Sequence, residues 1–240
     1  EFRRVLFRSD DRYRKVTGAF AKILNHLNVS YAVLGKEESC TGDPARRAGN
    51  EMLFQMQAIQ LITTLQGYGV TKIITTCPHC FNTLKNEYPD LGGNFEVVNY
   101  VSLLKEFVSS GRLKISASVL EGRKITYHDP CYLGRANDIY NDPRTVINHL
   151  GADLKEMERN RSFALCCGAG GAQMFKEAEE GEKEIFIERT EDALETGSEI
   201  IATACPFCMT MLTDGLKYKN REEEIKNYDI AELMVQALGL

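Results

Sequence analysis

Apolar positions Val16, Phe20, Ile23, Leu24 and Leu27 recur at three- and four-residue steps and predict an amphipathic helix over 12–28. Residues 30–34 read as a short strand closed by Gly35, and 50–65 as a helix ended by Gly67 and Gly69. The β-branched run 71–76 predicts a buried strand. Cys77-Pro78 then opens a helix that continues through 82–88, because proline suits the first helical position. A strand over 95–100 and a helix over 101–108 complete this series. The course then repeats: a strand over 124–128 ends in Asp129-Pro130-Cys131, and a helix covers 143–150. A strand over 163–165 leads into Cys166-Cys167-Gly168, and a long charged helix spans 173–196 with Glu177 to Glu184 as its exposed face. A strand over 199–203 precedes the helix opened by Cys205-Pro206. Strands alternating with helices predict an α/β fold with mostly parallel sheets.

The second series echoes the first. Cys77 and Cys205 stand 128 positions apart, as do Cys80 and Cys208, while Cys40 and Cys167 stand 127 apart. Both CxxC motifs follow a hydrophobic strand, read Thr-x-Cys-Pro-x-Cys and lead into a polar helix. Two similar, pseudo-symmetric βα-repeat halves are therefore expected, at 10–122 and 123–240. Residues 1–9, EFRRVLFRS, read like the translation of a sequencing adapter and are set apart from the fold. On that reading, the natural amino terminus lies upstream of what is seen.

Composition narrows the chemistry. With 240 residues, 43% hydrophobic and 26% charged, the chain has an ordinary globular composition. Its net charge of −5 offers no basic footprint, so nucleic acid is not an expected partner. No apolar run reaches the roughly 18 residues of a membrane span, and no signal-peptide pattern opens the chain. A cytoplasmic location is expected.

Eight cysteines stand at 40, 77, 80, 131, 166, 167, 205 and 208. A disulfide framework belongs to small secreted domains, whereas paired CxxC spacings in a chain of this kind point to metal or redox work. A CxxC at a strand-to-helix junction offers two thiolates on one tight turn. The free N–H groups of the new helix then face sulfur, and the helix dipole favours negative charge. A four-iron cluster needs four such thiolates. Structural zinc also uses CxxC pairs, but it requires neither a vicinal pair nor a fifth thiol. A dithiol oxidoreductase would show one exposed CxxC, and inert core cysteines would not repeat their spacing. Five thiols in the second half imply an unusual cluster, or a cubane plus a reactive thiol.

Together Cys131, the Cys166-Cys167-Gly168-Ala169-Gly170-Gly171 segment and the Cys205-Pro206-Phe207-Cys208 turn resemble the CCG (cysteine-rich domain) motif of heterodisulfide reductases and related iron–sulfur oxidoreductases. Those relatives include membrane-bound electron-transfer-flavoprotein:quinone reductases. The resemblance covers nearly all of 10–240 and makes the chain a fragment with tandem CCG domains. It implies one 4Fe-4S cluster per half, cubane or non-cubane. In the second half the metal ligands would be Cys131, Cys166, Cys167, Cys205 and Cys208, with Cys166 and Cys167 also catalytic. In the first half they would be Cys40, Cys77 and Cys80. The first half departs from the pattern: Ser39-Cys40-Thr41-Gly42 lacks one cysteine, and the equivalent of Cys131 would fall near position 3.

The resemblance further implies electron transfer between a flavoprotein, such as electron-transfer flavoprotein, and an acceptor such as quinone reached through upstream domains. The intact protein would then work at the cytoplasmic face of the membrane. Direct heterodisulfide reduction is the alternative enzyme reading, and a zinc-stabilised binding module the alternative outside redox chemistry. His79 and Phe207 are expected to shield the sites. His128 either donates to the cluster or makes only a local hydrogen bond. The 168–171 loop could cradle a phosphate, although its cysteines explain it better. Arg46, Arg47 and Arg135 are expected on a solvated, cationic rim.

Overall fold

A computed structural model describes residues 11–115, 119–177 and 180–240. Residues 1–9, read as an adapter, and position 3 lie outside them. In the first half, helix α1 (Asp11–His26) buries Val16, Phe20, Ile23 and Leu24. A short helix α2 (Asp43–Arg47) precedes α3 (Glu51–Gly67), which the Asn50 side chain caps by accepting Leu53 N–H. Strand β1 (Lys72–Thr75) runs into α4 (Pro78–Asn82), continued by a π-helical turn over Thr83–Glu87. Strand β2 (Glu96–Asn99) pairs in parallel with β1, and α5 (Tyr100–Ser109) follows it.

The second half holds β3 (Lys124–Tyr127), α6 (Asn141–His149), β4 (Asp153–Leu154), α7 (Ile185–Glu195), β5 (Ile200–Thr203), α8 (Pro206–Tyr218), β6 (Lys226–Asp229) and α9 (Ile230–Leu238). Its sheet has the order β4-β3-β5-β6, and every pairing is parallel. The α/β class, the parallel sheets and the two similar halves are as the periodicity predicts: β1, α4, β2 and α5 recur as β5, α8, β6 and α9.

The halves share one core. Helix α1 packs on α9 and α5 packs on α6. Because α1 matches α6 and α5 matches α9, these are the same contact made twice about a pseudo-two-fold axis. Residues of both halves, from Phe20 and Tyr100 to Ile147 and Met234, pack in a single apolar cluster. Between the halves, the buried Tyr100 hydroxyl donates to Asp229 Oδ1 at 2.7 Å.

Two expected elements do not form and a third is shortened. Residues 30–34 carry no strand. They follow α1 as β4 follows α6, and β4 exists only by pairing with β3; among the described residues the first half has no counterpart of β3. Residues 163–165 are no strand either, because β4 and β5 already flank β3. Phe163 ends a 3₁₀ turn and is exposed. The long helix is confined to 185–195 by α7. Upstream, Glu177 and 180–184 are exposed and non-helical, with no apolar stripe to bury. The Glu177–Glu184 run is therefore not a helical face. Strand β6 and helix α9 lacked a clear signal: β6 reads Lys-Asn-Tyr-Asp, and α9 begins at a capping box between Asp229 and Glu232.

Helices α7 and α8 touch at Gly215. A Cβ there would collide with Thr190 Oγ1 and lie 2.9 Å from Thr190 Cβ. Overpacking of this kind costs about 1–3 kcal/mol. Gly215→Ala is expected to lower the thermal midpoint, and Thr190→Ala in the same chain to restore part of the loss. Additive losses in calorimetry would exclude this contact as the cause.

Candidate metal centre

Parallel strands deliver the cysteines to one edge. Cys131 follows the end of β3, and Cys205 is the extended N-cap residue of α8 directly after β5. β3 and β5 are neighbours, with β4 outside one and β6 outside the other. They therefore flank the point where chain connections leave in opposite directions, the usual binding crevice of an open α/β sheet. The Cys166-Cys167-Gly168 turn comes from the long connection between β4 and α7.

There the five second-half thiols lie side by side in a row. Cys131 meets Cys166, Cys166 meets Cys167, Cys167 meets Cys208, and Cys208 meets Cys205. Cys167, Cys205 and Cys208 are buried, while Cys131 and Cys166 are partly exposed. Gly168 adopts φ +91°, and its N–H donates to Cys166 Sγ at 3.3 Å. A side chain is strained at that φ, which gives this glycine its role.

The thiols do not titrate alike. The Cys131 and Cys167 thiols, with the Gly168 N–H, hold Cys166 far below the ordinary range against the opposing effect of burial. Burial pushes Cys205 up, but Cys208, His79 and the N–H groups of Cys208 and Phe207 bring it down to about 7. Hydrogen bonding to Cys167 and Cys205 raises Cys208. Thiolates here are thus stabilised by the first turn of α8 and by the glycine turn, as a cationic metal group requires.

In the first half, Cys77 and Cys80 sit side by side on the α4 turn, both buried. Phe81 N–H donates to Cys77 O at 2.9 Å, as Met209 N–H does to Cys205 O. The register of the preceding turn differs from the 127-residue match of Cys40 with Cys167. Gly42 (φ +85°) donates its N–H to Cys40 Sγ at 3.4 Å, just as Gly168 does to Cys166. Cys40 is therefore the counterpart of Cys166, and the buried Thr41 stands in the place of Cys167. Its hydroxyl lies 3.5 Å from Cys80 Sγ, where Cys167 meets Cys208. Cys40 itself is exposed.

The two sites face each other. His79, inside the first CxxC, sits 4.7 Å edge-on from the ring of Phe207, inside the second, and 4.2 Å from Tyr132. Its Nδ1 lies 3.0 Å from Asp43 Oδ2. Burial lowers its pKa, but Asp43, Cys205 and Cys80 raise it overall. Cys77, Cys80, Cys167, Cys205 and Cys208 belong to one buried cluster that includes Phe207, and His79, against the Phe207 ring, is buried too.

The polar frame is built from ion pairs. Asp129 takes a bidentate Arg144 at 2.7 and 2.8 Å and the N–H of Arg161 at 2.7 Å, fixing the turn that carries Cys131. The expected solvated rim is instead paired: Arg46 and Arg47 both bind Glu87, Arg47 also binds Asp43, and Arg135 donates to Ala164 O at 2.6 Å. His128 accepts a hydrogen bond from Arg189 Nε at 2.9 Å. One of its ring nitrogens, Cys167 Sγ and Cys208 Sγ all lie within 4.8 Å of one another. Asp43, Thr41 and Arg189 were not legible as site residues; only the Cys-Thr-Gly against Cys-Cys-Gly parallel hinted at Thr41.

The donor set fits an iron–sulfur cluster. All eight cysteines are free thiols, amide N–H groups face Cys40, Cys77, Cys166 and Cys205, and five thiols converge where tetrahedral zinc takes four ligands.

The cysteine-rich domain family CCG matches residues 6–85 and 125–213. The chain is 45% identical over 235 residues to an EtfAB:quinone oxidoreductase of Syntrophomonas wolfei, covering 95% of this chain and 33% of that protein. It is 45% identical over 230 residues to a probable iron-sulfur-binding oxidoreductase, FadF, of Bacillus subtilis, covering 95% and 32%. It is 34% identical over 241 residues to one polypeptide of the dihydromethanophenazine:CoB--CoM heterodisulfide reductase of Methanosarcina barkeri, covering 95% and 57%. The chain thus spans about a third of the first two relatives and just over half of the third. With two family segments, each carrying a cysteine turn at a parallel strand end, the chain belongs to the CCG cysteine-rich domain family, whose matched relatives are iron–sulfur oxidoreductases.

Proposed function

We propose that this chain is the iron–sulfur part of a larger redox enzyme that passes electrons from a flavoprotein such as electron-transfer flavoprotein to an acceptor such as quinone. The observation that carries this reading is the row of five thiols beside a second cysteine turn, with Cys77, Cys80, Cys167, Cys205 and Cys208 in one buried cluster and Cys166 packed against it. The repeat units 10–122 and 123–240 each supply one site. Cys131, Cys166, Cys167, Cys205 and Cys208 hold the second-half cluster; Cys40, Cys77 and Cys80 contribute to the first. A four-iron cluster supplies a one-electron store whose potential depends on the hydrogen bonds to its sulfurs and on burial.

This chain's residues do the rest. The glycine turns aim N–H groups at Cys40 and Cys166, and the α4 and α8 termini receive the negative charge of the CxxC thiolates. His79, Tyr132 and Phe207 exclude water between the sites. Work at the cytoplasmic face of a membrane belongs to this proposal. Among the described residues no helix is long and apolar enough to cross one.

A second reading, reduction of a small disulfide at the second-half site, is favoured by one feature. A cleft of about 660 Å³, walled by Phe186, Thr210, Met211 and charged residues such as Lys176 and Glu184, reaches Gly168, the residue after the vicinal cysteines. That volume suits a small ligand.

Three measurements follow. Anaerobically purified protein is expected to be brown and to contain iron with acid-labile sulfide; zinc without iron would exclude the redox reading. Cys167→Ser is expected to slow electron transfer from electron-transfer flavoprotein to a soluble quinone more than it lowers iron content, and equal losses would make Cys167 an ordinary ligand. Thr41→Cys, which places a thiol where Cys167 stands, is expected to raise iron retention in the first half. Unchanged retention would reject the equivalence of Thr41 and Cys167.

A further inference from the structure

We propose that Arg189 and His128 form a positioning pair that raises the electron affinity of the second-half site above that of the first, so that electrons come to rest there. The proposal rests on the cluster reading above and assigns a direction to it.

The geometry starts at α7. The Arg189 side chain is fully buried. Its Nε donates to His128 Nδ1 at 2.9 Å, and its Nη1 donates to Arg159 O at 2.7 Å and Asp192 Oδ2 at 2.9 Å. Its Nη2 is buried with no acceptor among the described residues. A guanidinium has donors only, so the His128 nitrogen facing it must carry a lone pair. An imidazolium has no such lone pair, so a His128 ring that accepts from Arg189 is neutral. A neutral imidazole has one N–H, which Arg189 therefore places on Nε2.

That assignment decides what His128 can do. A protonated Nε2 has no lone pair for a metal, so His128 is not a ligand even though it lies within 4.8 Å of the Cys167 and Cys208 sulfurs. With Nδ1 held by Arg189, the ring's one N–H is on Nε2, in a ring that has a nitrogen within 4.8 Å of both sulfurs. An N–H directed at thiolate sulfur, with a buried cation behind it, stabilises the more negative, reduced state of a cluster.

Among the described residues the first half shows no such pair. Helix α3 ends at 67 and α7 at 195, so Arg189 corresponds to the buried Leu61, an apolar side chain with no proton to give. The bias is one-sided, and the second half becomes the electron sink.

The test is a potentiometric titration of both clusters by electron paramagnetic resonance on the full chain. His128→Leu is expected to shift the second-half equilibrium toward the oxidised form about tenfold, about 59 mV for one electron. His128→Gln, which keeps an N–H, should recover most of that shift. Arg189→Met, which frees the tautomer, should shift it in the same direction as His128→Leu. Iron content and the first-half potential should stay unchanged in all three. Equal shifts for Leu and Gln, parallel shifts of both clusters, or iron loss confined to the His128 variants would overturn the pair's role. An iron-free wild type would instead overturn the cluster reading beneath it.

Discussion

Everything near the centre of this protein answers to one constraint: a row of sulfurs, of which Cys166 and Cys205 are held toward the thiolate, must be taken out of water together. Isolated buried anions are costly unless they are hydrogen-bonded or paired. Here the compensation is main-chain and built into the topology. Parallel strands all present their carboxyl ends on one edge, and the helices that follow begin there, with unsatisfied N–H groups pointing inward. Placing cysteine at the N-cap and in the first turn of such a helix, twice, puts sulfur where donors already are. Pro78 and Pro206 sit at positions whose N–H the helix would not have used.

The two halves solve this problem unequally. The same turn, with the same left-handed glycine and the same N–H to sulfur contact, carries Cys40-Thr41 in one half and Cys166-Cys167 in the other. A hydroxyl is close to a thiol in size but does not yield a thiolate near neutral pH. The exchange keeps the packing against Cys80 and removes a potential ligand. The aromatic contact of His79 with Phe207 shows similar divergence: equivalent positions touch across the pseudo-axis, one polar and tied to Asp43, the other apolar.

Much of this was readable from residues. Strands β1, β3 and β5 announced themselves by β-branched runs ending in cysteine, and the CxxC turns by proline. The elements that failed did so because a strand needs a neighbour. Residues 30–34 have strand-like composition but nothing to pair with among the described residues, and 163–165 find both sides of β3 taken. The register of Cys40 went astray because cysteines were matched to cysteines, whereas the glycine conformation sets the alignment. Arg189 was invisible because its partner, His128, lies 61 positions away and meets it only through the packing of α7.

The reciprocal helix packing has a consequence for how such a chain comes into being. Neither half closes its own apolar face: α1 is covered by α9, and α5 by α6. Contacts between residues more than 200 positions apart form only once α9 is available, so a nascent chain carries exposed apolar surface until α9 has been made. Severing the polypeptide between the halves would leave two fragments with mutually complementary sticky faces rather than two independent folding units.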